Sequence, residues 1–183
     1  GMTCAAIGYA LMSYLMTATP LQVVNVAQLG TSANATIIQW HVVAMFAPSF
    51  FTGNLIQRFG IIKILSVGLL AYIVAIITAL IGNQFPHYFI ALFLLGLGWN
   101  FLYIGGSALV ASVAAAEERG RVQGVADLAT TSLVALASLT AGGLHSQFGW
   151  DVLILSGCVP VVILAFGLGW LGFYQRRISL REF

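Results

Sequence analysis

Apolar residues run along this chain in long stretches that no charge interrupts. Residues 1–57 hold no Asp, Glu, Lys or Arg, and neither do residues 64–116. About 20 consecutive apolar residues cross a hydrocarbon core about 30 Å thick, so each stretch is long enough for two passes. Backbone groups cannot stay unpaired in lipid, which leaves helices or a closed barrel. Barrel strands need about 10 residues of alternating polarity. Residues 65–81 are apolar on all sides, so the pattern predicts helices.

Six transmembrane helices are expected, at about 3–27, 37–56, 61–81, 88–114, 123–144 and 152–174. They form a single domain over 1–183, with 175–183 as a short tail. The third helix shows the magnitude. It carries 13 Leu, Ile and Val residues, and each contributes about −0.3 to −0.6 kcal/mol on insertion. The sum, roughly −4 to −8 kcal/mol, outweighs Lys63 near one end, whose amine can reach the headgroups.

The linkers, at 29–34, 57–60, 82–86, 117–122 and 145–151, are short and rich in turn formers. All seven basic residues fall around the second and fourth linkers and in the tail: Arg58, Lys63, Arg119, Arg121, Arg176, Arg177 and Arg181. Basic residues mark the cytoplasmic side. The alternation therefore predicts both termini in the cytoplasm. A place in the plasma (inner) membrane is expected.

Composition narrows the function. The chain is 60% hydrophobic and 7% charged, against about 25% charged in a soluble domain. Its mean hydropathy is +1.00. The net charge of +2 gives no bulk attraction to nucleic acid. Cys4 and Cys158 lie in apolar surroundings and read as packing residues. Three scattered His and two Cys show no ligand spacing, so no metal is expected. No Gly-x-x-x-x-Gly-Lys loop is present, and no cofactor is expected. Gly105-Gly106-Ser107-Ala108 lacks the final Gly of an intramembrane serine protease motif, which makes that chemistry a weak alternative. A non-transporting assembly subunit is another.

The most specific stretch is Gly53-Asn54-Leu55-Ile56-Gln57-Arg58-Phe59-Gly60-Ile61-Ile62-Lys63. It resembles the major facilitator superfamily signature Gly-x-Leu-x-Asp-Arg-x-Gly-x-x-Arg/Lys, with Gln57 where the fuller form has Asp. Gly53 and Gly60 would let the chain turn tightly between helices. Met16 to Pro20, His41 to Gly53, Gly98-Trp99-Asn100 and Glu118 to Gly124 are similar to the same superfamily. The resemblance implies the C-terminal six-helix half of a twelve-helix secondary transporter that moves a small solute by alternating access. The chain begins with Gly1 rather than Met, so a fragment is expected, whose partner would be an N-terminal six-helix half or a second copy. The resemblance also implies that the first, second, fourth and fifth helices line a cavity, while the third and sixth face lipid.

Candidate cavity residues follow. His41 reads as the one ionisable group within a span, able to bind solute or take a proton, or simply to bond a nearby loop. Asn100 sits near the middle of the fourth helix, where its amide needs either a polar cavity or a neighbouring helix. Trp99 and Tyr103 flank it and suit a flat apolar solute or ordinary packing. Thr17, with Thr19 and Pro20, would interrupt the first helix, and Pro48 and Pro160 could bend the second and sixth. By analogy with the superfamily, Asp127 would pair with Arg58 at a cytoplasmic gate made by the Gly53–Lys63 loop, or would answer the positive end of its own helix. Gly96, Gly98, Gly105 and Gly106 suggest close helix packing.

Overall fold

The computed structural model describes residues 1–179, and Arg181 lies outside them. Within this range every regular element is a helix. Helix α1 (Met2–Pro20) leads without a gap into a π-helical segment, Leu21–Val26. Then come α2 (Gly30–Phe46), α3 (Ser49–Phe59), α4 (Ile61–Ile81), α5 (Phe85–Val113), α6 (Arg119–Ser156) and α7 (Cys158–Ser179).

These make about six spans. Helices α1, α4 and α5 are each long and apolar enough to cross alone, and α2 with α3 forms one span bent by 43°. The run Arg119–Tyr174 has 56 residues, about 84 Å if straight and far more than one crossing. It breaks at Gly149, where φ is 80° and ψ is −179°. That backbone suits only glycine comfortably, and it divides the run into two passes. The protein is thus an all-α, multi-pass integral membrane protein.

The structure departs from the sequence pattern at five places. Residues Gly30 to Asn34, read as linker, already belong to α2. Helix α6 runs through His145 to Phe148, also read as linker, and leaves helical geometry only at Gly149. In α1 the α-helix continues through Thr17 and Thr19. It widens only after Pro20, where Ala27 N–H bonds the Gln22 carbonyl at 2.8 Å, five residues back. Pro20 has no N–H to offer the preceding turn, and the wider π turn resumes the ladder beyond it. Gly53 lies inside regular α3, so the turn between α3 and α4 falls to Gly60 alone, at φ 87°. Pro160 sits in the first turn of α7, where a missing N–H costs nothing.

Helix α5 is the centre of the bundle, and its glycines explain why. A Cβ on Gly96 would lie 2.5 Å from the His41 carbonyl of α2. One on Gly98 would meet the Gly68 carbonyl of α4 at 2.8 Å, and one on Gly106 the Ala5 nitrogen of α1 at 2.8 Å. Three helices therefore press their backbones onto α5 where side chains are missing. Helix α6 packs along α1, and α7 packs mainly on α4. After Gly149, Trp150 donates its indole N–H to the Ala79 carbonyl of α4 at 3.0 Å, which anchors the last pass.

Candidate functional site

An aromatic cluster joins three helices. Tyr9 of α1 meets Trp99 edge-on, with centroids 5.2 Å apart, and Tyr103 edge-on at 5.3 Å. Trp99 and Tyr103, one turn apart on α5, stack at 5.2 Å with planes 8° apart. Phe46, at the end of α2, closes on Trp99 edge-on at 5.7 Å. Phe46 is exposed and Tyr9 and Tyr103 are half-buried, while Trp99 is buried with its Nε1 unpartnered. Tyr9, Ser13 and Thr17 follow at four-residue steps along α1. Ser13 Oγ lies 2.7 Å from Ser138 Oγ of α6, and Thr17 is exposed. One face thus presents aromatic rings from α1, α2 and α5 beside hydroxyls from α1 and α6.

Asn100 lies behind this wall and is fully buried. Its Nδ2 donates to the Met45 carbonyl and to Ser49 Oγ, both at 2.6 Å. Its Oδ1 accepts from Thr52 Oγ1 at 2.6 Å. These groups bracket the break between α2 and α3. Pro48 bends the span, so Ser49 N–H does not return to the Met45 carbonyl, and a buried carbonyl needs a partner from elsewhere. Asn100 gives one to Met45 and grips α3 at the same time.

His41 is fully buried one turn above Met45. Its Nδ1 donates to the Leu92 carbonyl of α5 at 2.6 Å, and its Nε2 has no partner among the described residues. His41 and Asn100 therefore both fasten α2 to α5, on either side of Gly96. The expectation that His41 is the one ionisable group in a span needs correction. His145 is also helical and buried, because α6 runs past the point where Ser146 and Gln147 suggest a loop.

His145 belongs to a polar chain that sequence reasoning missed. Its Nε2 donates to Gln22 Oε1 at 3.0 Å, Gln22 Nε2 donates to the Tyr88 hydroxyl at 2.9 Å, and that hydroxyl donates to Asn83 Oδ1 at 3.2 Å. The chain links α6, the π segment and α5 at one end of the bundle. The amide of Gln22 beside Pro20 was the available signal. Ser107 lies about 28 Å along α5 from Tyr88, so His145 cannot serve it as a base.

The loop motif is arranged differently. Arg58 places its guanidinium 5.3 Å from the Phe59 ring centre. Asp127 accepts from Gln123 on its own helix at 2.9 Å. Neither contact joins the two. Lys63 is exposed at the start of α4.

Known proteins place the chain. The riboflavin transporter RfnT of Brucella anthropi is 46% identical over 145 residues, which cover 79% of this chain and 36% of that protein. An uncharacterized MFS-type transporter, YddS of Bacillus subtilis, is 29% identical over 177 residues, or 92% of this chain and 38% of its own. A cis,cis-muconate transport protein of Acinetobacter baylyi is 28% identical over 124 residues, or 67% and 30%. The chain thus spans about a third of the length of the relatives it matches. The sequence profile of the Major Facilitator Superfamily matches residues 1–182, and the chain belongs to that superfamily of membrane transporters.

Proposed function

We propose that this chain supplies one six-helix half of a secondary transporter that works by alternating access. In this reading both termini face the cytoplasm, as the placement of Arg58, Lys63, Arg119, Arg121 and Arg177 supports. A second six-helix half would close the solute path, which fits the greater length of the relatives. The two halves would rock about a site between them.

The solute is a small, flat, largely aromatic molecule held against Trp99 and Tyr103, with Tyr9 and Phe46 at its edges. The aromatic cluster carries this reading. Parallel rings and edge-on rings both offer favourable geometry to another ring. The name of the 46% identical riboflavin transporter supports the same class of solute. Thr17 would border the path. Asn100 and His41 would shape it from behind by holding the bent span to α5, and Arg58, Lys63 and Asp127 would mark its cytoplasmic end.

Uptake of labelled riboflavin into proteoliposomes holding the full-length protein tests this. Trp99→Ala should raise the KM roughly tenfold, since a lost ring contact near 1.4 kcal/mol is a factor of ten. Trp99→Phe should recover most of it. Unchanged kinetics in Trp99→Ala and Tyr103→Ala would remove the aromatic wall from the solute path.

A further inference from the structure

The face of the bundle away from the aromatic wall carries a groove between α4 and α7. It has a volume of about 420 Å³ and is lined by Ile62, Ser66 and Leu69 of α4 and by Leu168, Gly172 and Phe173 among the residues of α7. Ser66 already gives its hydroxyl hydrogen to the Ile62 carbonyl at 2.8 Å, so the groove offers hydrocarbon to an occupant. Gly169 and Gly172 keep it open. A Cβ on either would meet nothing within 4 Å. These glycines therefore do not serve a helix contact, unlike Gly96 or Gly98.

Among the described residues, the charges at its mouth are all of one sign. Lys63 follows Ile62 directly and is exposed. Arg177, one turn beyond Phe173, holds its guanidinium 4.5 Å from the centre of that ring. Helix α4 and the described part of α7 contain no Asp or Glu. From the mouth, Ile62 to Leu69 and Leu168 to Phe173 extend the groove by about 10 Å. One leaflet of the hydrocarbon core is about 15 Å deep. Two cations at the interface above an apolar slot that reaches about two thirds of the way into that leaflet have the shape and charge of a phospholipid with an anionic headgroup.

We propose that this groove is a binding site for an anionic phospholipid of the cytoplasmic leaflet. Lys63 and Arg177 hold the phosphate and its neighbouring charge, and one acyl chain lies over Gly169 and Gly172. Clustered basic residues beside membrane helices attract anionic lipids in this way. The leaflet rests on the orientation proposed above; the site itself does not. The lipid would brace α4 and α7, whose direct contact leaves the slot unfilled.

Native mass spectrometry of the full-length protein in detergent, titrated with phosphatidylglycerol and with phosphatidylcholine of the same chains, tests the site. The wild type should retain phosphatidylglycerol and shed phosphatidylcholine. Lys63→Ala/Arg177→Ala should weaken retention roughly tenfold or more. Gly172→Leu keeps both cations and fills the slot, and it should weaken retention as strongly while the protein stays folded. Equal retention of both lipids would overturn the proposal. So would a loss in the charge variant with none in Gly172→Leu, which would mean surface attraction without a groove. This readout is independent of transport and of orientation. Labelling of Arg177→Cys by an impermeant reagent from outside intact cells would overturn the orientation and leave the lipid result standing.

Discussion

Two faces of this bundle solve the problem of lying in lipid by opposite means. Where α2 meets α5, polar groups are buried and cross-linked: His41 to Leu92, and Asn100 to Met45, Ser49 and Thr52. Glycine brings the two backbones together there. Where α4 and α7 face outward, Val67, Leu70, Ile77, Val162 and Phe166 are exposed. Their few hydroxyls, such as Ser66 and Thr78, bond carbonyls of their own helix. The first face keeps polarity by giving it interhelical partners. The second avoids polarity and needs no partner. In lipid, an unpaired polar group costs several kcal/mol, so a polar side chain inside a span that cannot satisfy itself on its own helix marks a place where helices must meet in one register.

The sharpest contrast is between two glycines. Gly96→Leu should be the most damaging substitution, because even its Cβ would lie 2.5 Å from the His41 carbonyl. A loss of about 3 kcal/mol or more is expected, seen as failure to recover folded full-length protein. Gly167→Leu on α7 meets nothing within 4 Å and should leave the melting temperature within a few degrees of wild type.

Next comes Asn100→Leu, which strips the Met45 carbonyl and the Ser49 hydroxyl of their partner and leaves Thr52 with the Pro48 carbonyl alone. A cost of about 1–3 kcal/mol is expected, measured by thermal unfolding in detergent. In a Pro48→Ala background the Ser49 N–H can return to Met45, so the same substitution should cost clearly less. That non-additivity is the mark of coupled residues, and simple addition would separate Asn100 from the bend. Gln22→Leu should cost about 1–2 kcal/mol by leaving His145 without a partner and Tyr88 with Asn83 alone. The smallest effect belongs to the outer face. Val74→Leu on α4 should stay within about 0.5 kcal/mol, and a larger change would mean that this surface packs against protein.

Much of the fold is legible in the sequence because the forces that set it are additive along the chain. Charge-free runs announce spans, and the basic clusters separate them. The bend at Pro48 is likewise local. The glycines of α5 read as contact points without any knowledge of what they touch. The aromatic cluster is harder. Trp99 and Tyr103 are neighbours on one helix, but Tyr9 and Phe46 reach them from about 90 and 53 positions away, and nothing local pairs them. Asn100 showed that it needed a partner, and only the folded bundle shows that Met45, Ser49 and Thr52 supply it. The end of α6 was hidden because His145, Ser146 and Gln147 look like loop. His145 stays in the helix because Gln22, on another helix, accepts its hydrogen.

The central claim is that the face carrying Tyr9, Trp99, Tyr103 and Thr17 lines the solute path. It is tested most directly by placing one cysteine at Thr17 in a full-length protein whose Cys4 and Cys158 are replaced by alanine. Leu70→Cys on α4 is the comparison. The account predicts that a water-soluble maleimide labels Thr17→Cys readily, that riboflavin slows this labelling, and that Leu70→Cys labels little under either condition. Labelling of Thr17→Cys as slow as that of Leu70→Cys, with no effect of solute, would contradict it.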